Sequence, residues 1–353
     1  CSIGHTGILC AVCTDGYFQQ FGRCANRGGA GAGVAWLITA ALVFVVAGIG
    51  GLFFKFKEVL PVDQLKVALS FVQIIAPANT AYRIPWPSVF VRFLDAMRVF
   101  LVEVLSLTRA NCAQPMTFYS SLVVTFVGFK VIVICLVVIP ALRTQRHPRR
   151  RSTITVAMAV AMQAAKGIDW AKIFKVTFLF LFVAYPGISL KIMQMFKCVE
   201  VEGQPWLVAD MRLECYTGAW YSYATYAVVM GGLFAAGLPL ATLVILVKNR
   251  GRLQESETLA KLGFLYEVYG VRAYLWEVEE LVRKLILSAL VVFMSDGNPL
   301  QVTTAVVVSG WAHVGHSVFK PWGEAGVDGR FTYVLQHAAL FVTSFVFLMG
   351  LLF

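Results

Sequence analysis

Charge is scarce in this chain: 14% of its 353 residues are Asp, Glu, Lys or Arg, against about 25% in an average soluble domain. Apolar residues reach 59% and gather into runs of membrane-spanning length, which excludes a water-soluble globule. Acids are the scarcer sign, 19 against 30 Lys and Arg, for a formal net charge of +11. A nucleic-acid surface needs one continuous basic face. Here the cations occupy short loops between apolar runs, so nucleic acid is not an expected partner. Histidine is rare, five in all. A Gly-rich nucleotide loop, a catalytic triad and a metalloprotease signature are all missing, so neither an enzyme nor a cofactor is expected. No Met or signal peptide precedes Cys1, and Phe353 falls inside an apolar run. The chain is therefore expected to be a piece of a longer protein.

What the sequence does have is a series of apolar segments: 34–54, 64–82, 88–107, 118–142, 173–195, 220–247, 278–295, 300–318 and 331–353. Loop charge orients them. The 143–172 loop carries Arg143, Arg146, Arg149, Arg150, Arg151, Lys166 and Lys172 against Asp169, and the next basic loop carries Lys248, Arg250 and Arg252. In contrast, 196–219 sets Lys197 and Arg212 against Glu200, Glu202, Asp210 and Glu214. The positive-inside tendency puts 143–172 and 248–276 in the cytosol and 196–219 outside. Cysteine agrees, since Cys198 and Cys215 fall in the outer loop and disulfides persist in oxidising compartments. Cys1, Cys10, Cys13 and Cys24 precede the first span, so the N-terminus is also expected outside.

An outer N-terminus and a cytosolic residue 143 allow only one of 64–82 and 88–107 to cross. The first contains Pro77 and Asn79; the second carries Arg92, Asp95, Arg98 and Glu103. Each charge at the bilayer centre costs about 2.5–3.5 kcal/mol, so 64–82 is the preferred crossing and 88–107 an outer amphipathic helix in the interface. The opposite choice stays open. The expected fold is an all-α membrane protein of about eight transmembrane helices plus an interfacial helix. It divides into a small disulfide-bonded extracellular module over 1–30 and a multi-pass domain over 31–353, in the plasma membrane or another surface membrane. Between 248 and 277, Leu259, Leu262, Leu265, Val268 and Tyr269 recur at helical spacing, which predicts an amphipathic helix against the inner leaflet.

Three clusters are candidate sites. At the cytosolic entrance of 278–295, Glu277, Glu280 and Lys284 share one helix face and Glu279 can pair with Arg283 at i, i+4. This is either an interfacial anchor with snorkelling cations or a gate or ion vestibule attracting cations. His313 and His337 fall at similar depth on successive spans, with His316 nearby. They could share a proton, a metal or a haem, or simply make contacts between packed helices. Arg92, Asp95, Arg98 and Glu103 form the charged outer helix. Lys130 and Lys175 are further intramembrane charges, and Gly231, Gly232, Gly237 and Pro239 point to close packing or a kink in 220–247.

The segment from Cys1 through Cys10-Ala-Val-Cys13-Thr-Asp-Gly16-Tyr17 to Cys24 resembles the second half of a laminin-type EGF repeat. That resemblance implies Cys1–Cys10 and Cys13–Cys24 pairing; the rival is a zinc knuckle with His5. A second resemblance rests on Ile84-Pro85-Trp86-Pro87, Tyr185-Pro186, Cys198 with Cys215, Lys248-Asn249-Arg250, Leu265 to Tyr269, Trp276 to Lys284, and Phe319-Lys320-Pro321-Trp322. Together these are similar to a membrane module of algal and protist surface proteins, variously described as TRP-like (transient receptor potential) or polycystin-related. In that family the module follows very large ectodomains. The resemblance implies a sensory or cation-conducting protein; the alternative is a non-conducting anchor or receptor for an adhesive or filamentous ectodomain. True TRP channels carry a re-entrant pore loop between their last two pore helices. The Ser295-Asp296-Gly297-Asn298-Pro299 link is too short for one. Expected partners are the lipid bilayer, the chain's own ectodomain or extracellular filament proteins, and further copies of itself in a homo-oligomer.

Overall fold

The structure is a computed structural model, and it describes residues 1, 3–14, 16–20, 23–26, 62–82, 84–97, 116–144, 170–269, 271–294, 299–322 and 326–352. The expected first span, 34–54, and most of the basic loop 143–172 lie outside the described residues, as do Arg98 and Glu103.

The N-terminal module is two small antiparallel sheets. Strand β1 (His5–Thr6) pairs with β2 (Val12–Cys13), and β3 (Tyr17–Gln20) with β4 (Arg23–Asn26). Disulfides join Cys1 to Cys10 and Cys13 to Cys24. Both nitrogens of His5 are engaged, Nδ1 at 2.9 Å from the Cys10 carbonyl and Nε2 accepting the Cys24 N–H at 3.4 Å. With four sulfurs in disulfides, a zinc knuckle has no thiolates to use. Gly4 must be glycine: its φ is +83°, and a Cβ there would fall 2.4 Å from the Tyr17 ring.

The rest is predominantly helical. In chain order come α1 (Val62–Ile75), α2 (Ala78–Ala81), α3 (Ser88–Met97), α4 (Phe118–Thr144) and α5 (Trp170–Gln194). A disulfide-closed hairpin follows, β5 (Cys198–Val201) with β6 (Gln204–Leu207), tied by Cys198–Cys215. Then come α6 (Gly218–Met230), a π-helical segment (Gly231–Ala236), α7 (Gly237–Lys248), α8 (Ser256–Tyr266), α9 (Trp276–Ser288), α10 (Pro299–Phe319) and α11 (Gly326–Gly350). Four of these are long and apolar enough to cross a membrane: Phe118–Val138, Ile173–Gln194, Gly218–Lys248 and Gly329–Gly350. The chain is a membrane protein.

The other expected spans differ from uniform apolar rods. The stretch 64–82 is a 14-residue helix that ends at Ile75 and resumes for one turn after Pro77. Proline has no N–H to continue the ladder. The expected continuous helix over 278–295 is corrected: α9 stops at Ser288, Ala289 leaves helical geometry at φ −127°, and a 3-10 turn covers Leu290–Phe293. Only Ser88–Met97 of the outer helix is described as helical, with Leu94 buried and Val89 exposed.

Helix α5 is the axis of the bundle. Over its crossing segment 56% is buried, against 11% for α4, which turns Val127, Val131 and Ile134 outward. Around α5 pack α4, α1, α8 and α9, while α11 lies against α10 and α1. At one end Asp210 accepts the Phe118 N–H at 3.0 Å, starting α4, and binds Arg212 through two 2.7 Å contacts. At the other, α8 buries Leu265 and Tyr266, and Phe264 meets Phe174 and Phe178. Of the face expected to meet the inner leaflet, Leu262 and Leu265 cluster with Phe178 and Leu246, Val268 and Tyr269 with Val67 and Trp322, and Leu259 is exposed.

The π segment has a local cause. Pro239 cannot donate to the carbonyl four residues back, that of Ala235, and the Tyr185 hydroxyl donates to that oxygen at 2.6 Å. In hydrocarbon a freed carbonyl must find a partner within the protein.

Candidate functional site, a buried charge network

Helix α9 is amphipathic in reverse. Its sequence, WEVEELVRKLILS, buries Glu277, Glu280, Arg283 and Lys284 while Val282 is 40% exposed. Glu277 and Lys284 have no solvent exposure at all, and Glu280 and Arg283 have 4% each. The spacing that puts these charges on one stripe turns that stripe into the bundle.

What receives them comes from elsewhere in the chain. Lys66 of α1 pairs with Glu277, and the Tyr269 hydroxyl donates to the same carboxylate at 2.9 Å. Lys66 Nζ also reaches the Tyr269 oxygen at 3.0 Å. Arg283 donates to Glu280 Oε2 at 2.6 Å, and Gln336 of α11 donates to Glu280 Oε1 at 2.7 Å. Lys284 donates to Gln73 Oε1 at 3.2 Å and stands 3.5 Å over the Phe182 ring, which Lys66 approaches at 4.9 Å. Gln73 in turn donates to the Val183 carbonyl at 2.7 Å. Glu279 stays at the rim, 35% exposed, with its Oε1 3.6 Å from Arg283 Nε.

Three cations and three carboxylates therefore meet across α1 and α9, with polar side chains of α1, α11 and the Tyr269 turn closing the network. Burial raises the phenol of Tyr269 well above its usual range, and the nearby Glu277 and Glu280 carboxylates push in the same direction. The hydroxyl stays a donor. A buried ion pair brings little net stability, because desolvation offsets the attraction. Six charges inside a membrane bundle therefore call for a functional account.

The sequence-derived cluster is thus brought together, with two changes. Glu280 takes Arg283 at i, i+3 as its close partner, and Lys284 turns to Gln73 instead. Glu277, Glu280, Arg283 and Lys284 are buried, and Glu279 stays partly exposed at the edge of the cluster. Lys66, Gln73, Tyr269, Phe182 and Gln336 were missed by sequence reasoning. One signal was available: Lys66 and Gln73 are seven residues apart, two turns on one helix face.

The histidines converge as well. His313 Nε2 and His337 Nε2 lie 3.2 Å apart, one proton between them, and His316 stacks on Tyr333 at 4.5 Å. Among the described residues no group of three or more His, Cys, Asp or Glu is arranged to hold a metal. Arg92 is exposed and Asp95 half-buried on α3. Lys130 is exposed and leans over the Tyr226 ring at 5.6 Å, and Lys175 is exposed near the start of α5.

No family model matches the chain, and no solved structure matches it. It is 26% identical over 157 residues to Cysteine repeat modular protein A of Toxoplasma gondii, a match covering 40% of this chain and 5% of that protein. The chain therefore corresponds to a small part of that relative's length.

Proposed function

We propose that this chain is the membrane-embedded part of a large cell-surface protein, a TRP-like, polycystin-related module that senses a stimulus and conducts or gates cations. The observation that carries this reading is the charge network between α1 and α9. Glu277 and Lys284 take their partners from α1 and the Tyr269 turn while Arg283 pairs within α9, so a shift of α9 against α1 would exchange one set of pairings for another, which is what a switch needs. Voltage can act on it, at about 2.3 kcal/mol per elementary charge per 100 mV. So can a pull arriving through an ectodomain.

In this reading the N-terminal module and the 196–219 hairpin are extracellular, and the basic loops 143–172 and 248–276 are cytosolic. Charge asymmetry and the disulfides support that orientation. With 34–54, α1–α2, α9 and α10 crossing beside the four long apolar helices, the arrangement totals about eight crossings. The partners would be lipid, the protein's own ectodomain and further copies of the chain.

A second reading, a non-conducting anchor or receptor, is favoured by the four-residue link Ser295-Asp296-Gly297-Asn298 between Met294 and Pro299, too short for a re-entrant filter. It is also favoured by the resemblance to a protein whose name denotes cysteine repeats. Recording from the purified full-length protein under voltage and stretch, beside Glu280→Gln, separates the two. Currents whose gating shifts in the variant support the sensory reading. Reproducible silence with folded protein supports the anchor.

A further inference from the structure

Helices α1, α9, α10 and α11 close into a ring: α1 packs on α9, α9 on α10, α10 on α11 and α11 on α1. The ring buries polar side chains from every member. On α10 these are Gln301, Ser309 and His316, while Trp311 and Val318 are exposed on its other side. Gln73 of α1, Glu280 of α9 and Gln336 of α11 are buried with them. At 1.5 Å per residue, Gln301 and His316 lie about 22 Å apart along α10. That covers most of a hydrocarbon core of about 30 Å.

The ring is bridged through its interior. Gln336 of α11 donates to Glu280 Oε1 of α9, two places round the ring, and Arg283 holds Oε2 of the same carboxylate. His316 lies one turn from the end of α10. It has no exposure, and neither of its ring nitrogens has a hydrogen-bond partner. Buried polar atoms are rarely left so without a chemical reason. His316 stacks on Tyr333 at 4.5 Å, and its ring centre is 5.8 Å from that of His337, which shares a proton with His313. Glu280 and Arg283 are the charged groups of α9 that act on it.

Such an interior suits one cation and opposes the others. The places a metal cation would take beside Glu277 and Glu280 are held by Lys66 and Arg283, and Lys284 stands 3.5 Å over the Phe182 ring. Sodium or potassium must displace an ammonium or a guanidinium before it finds an oxygen ligand. A proton needs only side chains that take it on one atom and release it from another, as Glu and His do in membrane proton relays. We infer that the cation this module moves is the proton, carried through the ring by Glu280 and His316. The inference rests on the cation-conducting reading above and names its ion. His316 accepts a proton at one ring nitrogen and releases one from the other, and Glu280 accepts and returns one, so neither keeps a charge. At the far end the Gln301 amide donates toward the carbonyls of Ala81, Val291 and Met294 and is the closure that a stimulus releases.

The test records full-length protein in phosphatidylcholine bilayers under voltage and stretch. N-methylglucamine is first the only cation besides the proton, and sodium or potassium then replaces it. The reversal potential should follow the pH difference across the bilayer and stay unmoved by the replacement. His316→Phe keeps the stack on Tyr333 but cannot pass a proton, so most of the proton current should be lost. Current carried by sodium or potassium and indifferent to pH overturns this inference and leaves the cation-conducting reading standing. Silence in every solution, with folded protein, overturns both. An unchanged proton current in His316→Phe overturns the route. Should that variant fail to fold, ion replacement in the wild type still decides which cation moves.

Discussion

Lys66 and Glu277 are 211 residues apart in sequence and form an ion pair in the bundle. Removing one partner of a buried pair strands the other and costs about 3–5 kcal/mol, whereas replacing both with neutral groups is far milder. Lys66→Met and Glu277→Gln should therefore each lower unfolding stability by that amount, and the double variant should recover at least half of the summed loss. Denaturation of the four proteins in nanodiscs measures this. Strict additivity would mean that the two side chains are not coupled. The Tyr269 hydroxyl, held protonated by burial and carboxylates, remains as a donor in either single variant. Sequence spacing revealed that Glu277, Glu280 and Lys284 share a face. It did not reveal Lys66, Tyr269, Gln73 and Gln336 as partners, because they come from other elements.

The π segment sets the behaviour of the span Gly218–Lys248. Gly231, Gly232 and Gly237 with Pro239 were legible as a site of packing or kinking, but a proline in a helix resolves in several ways. Here Tyr185 of α5 selects one by donating to the Ala235 carbonyl at 2.6 Å. Tyr185→Phe should destabilise the protein by about 1–3 kcal/mol, the cost of an unsatisfied buried acceptor. A variant as stable as wild type would mean that carbonyl has another donor. Helix α9 shows a similar limit. The segment 278–295 reads as one span, yet the chain leaves helical geometry at Ala289. There the Tyr82 hydroxyl donates to the Leu287 carbonyl at 2.9 Å, satisfying an acceptor at the helix end.

At the scale of the molecule, the bundle is ordered around α5, with α1 and α9 as charged inner elements and α4 and α10 turning apolar faces outward. The proposed orientation has a direct check. Cysteine placed at the exposed Gln204 of the hairpin should react with an impermeant maleimide on intact cells. At the exposed Lys261 of α8 it should react only after permeabilisation. Labelling of both from one side would invert or break the assignment, and Cys at Arg92 would report the side on which α3 lies.

The sequence alone determined the membrane environment, since runs of apolar residues this long have no place in water. The paired cysteines and the basic loops were also legible in it, because those signals are local: composition and spacing carry them. It also located the stripe of α9 on which the charges sit, since helical periodicity is local too. Tertiary structure decided the rest. Whether a charge on that stripe meets headgroups, water or another helix depends on side chains brought in from far along the chain. Lys66, Gln73 and Gln336 lie in segments that are mostly apolar. Nothing in their own neighbourhood marks them as partners of α9; only the packing of α1 and α11 around it does.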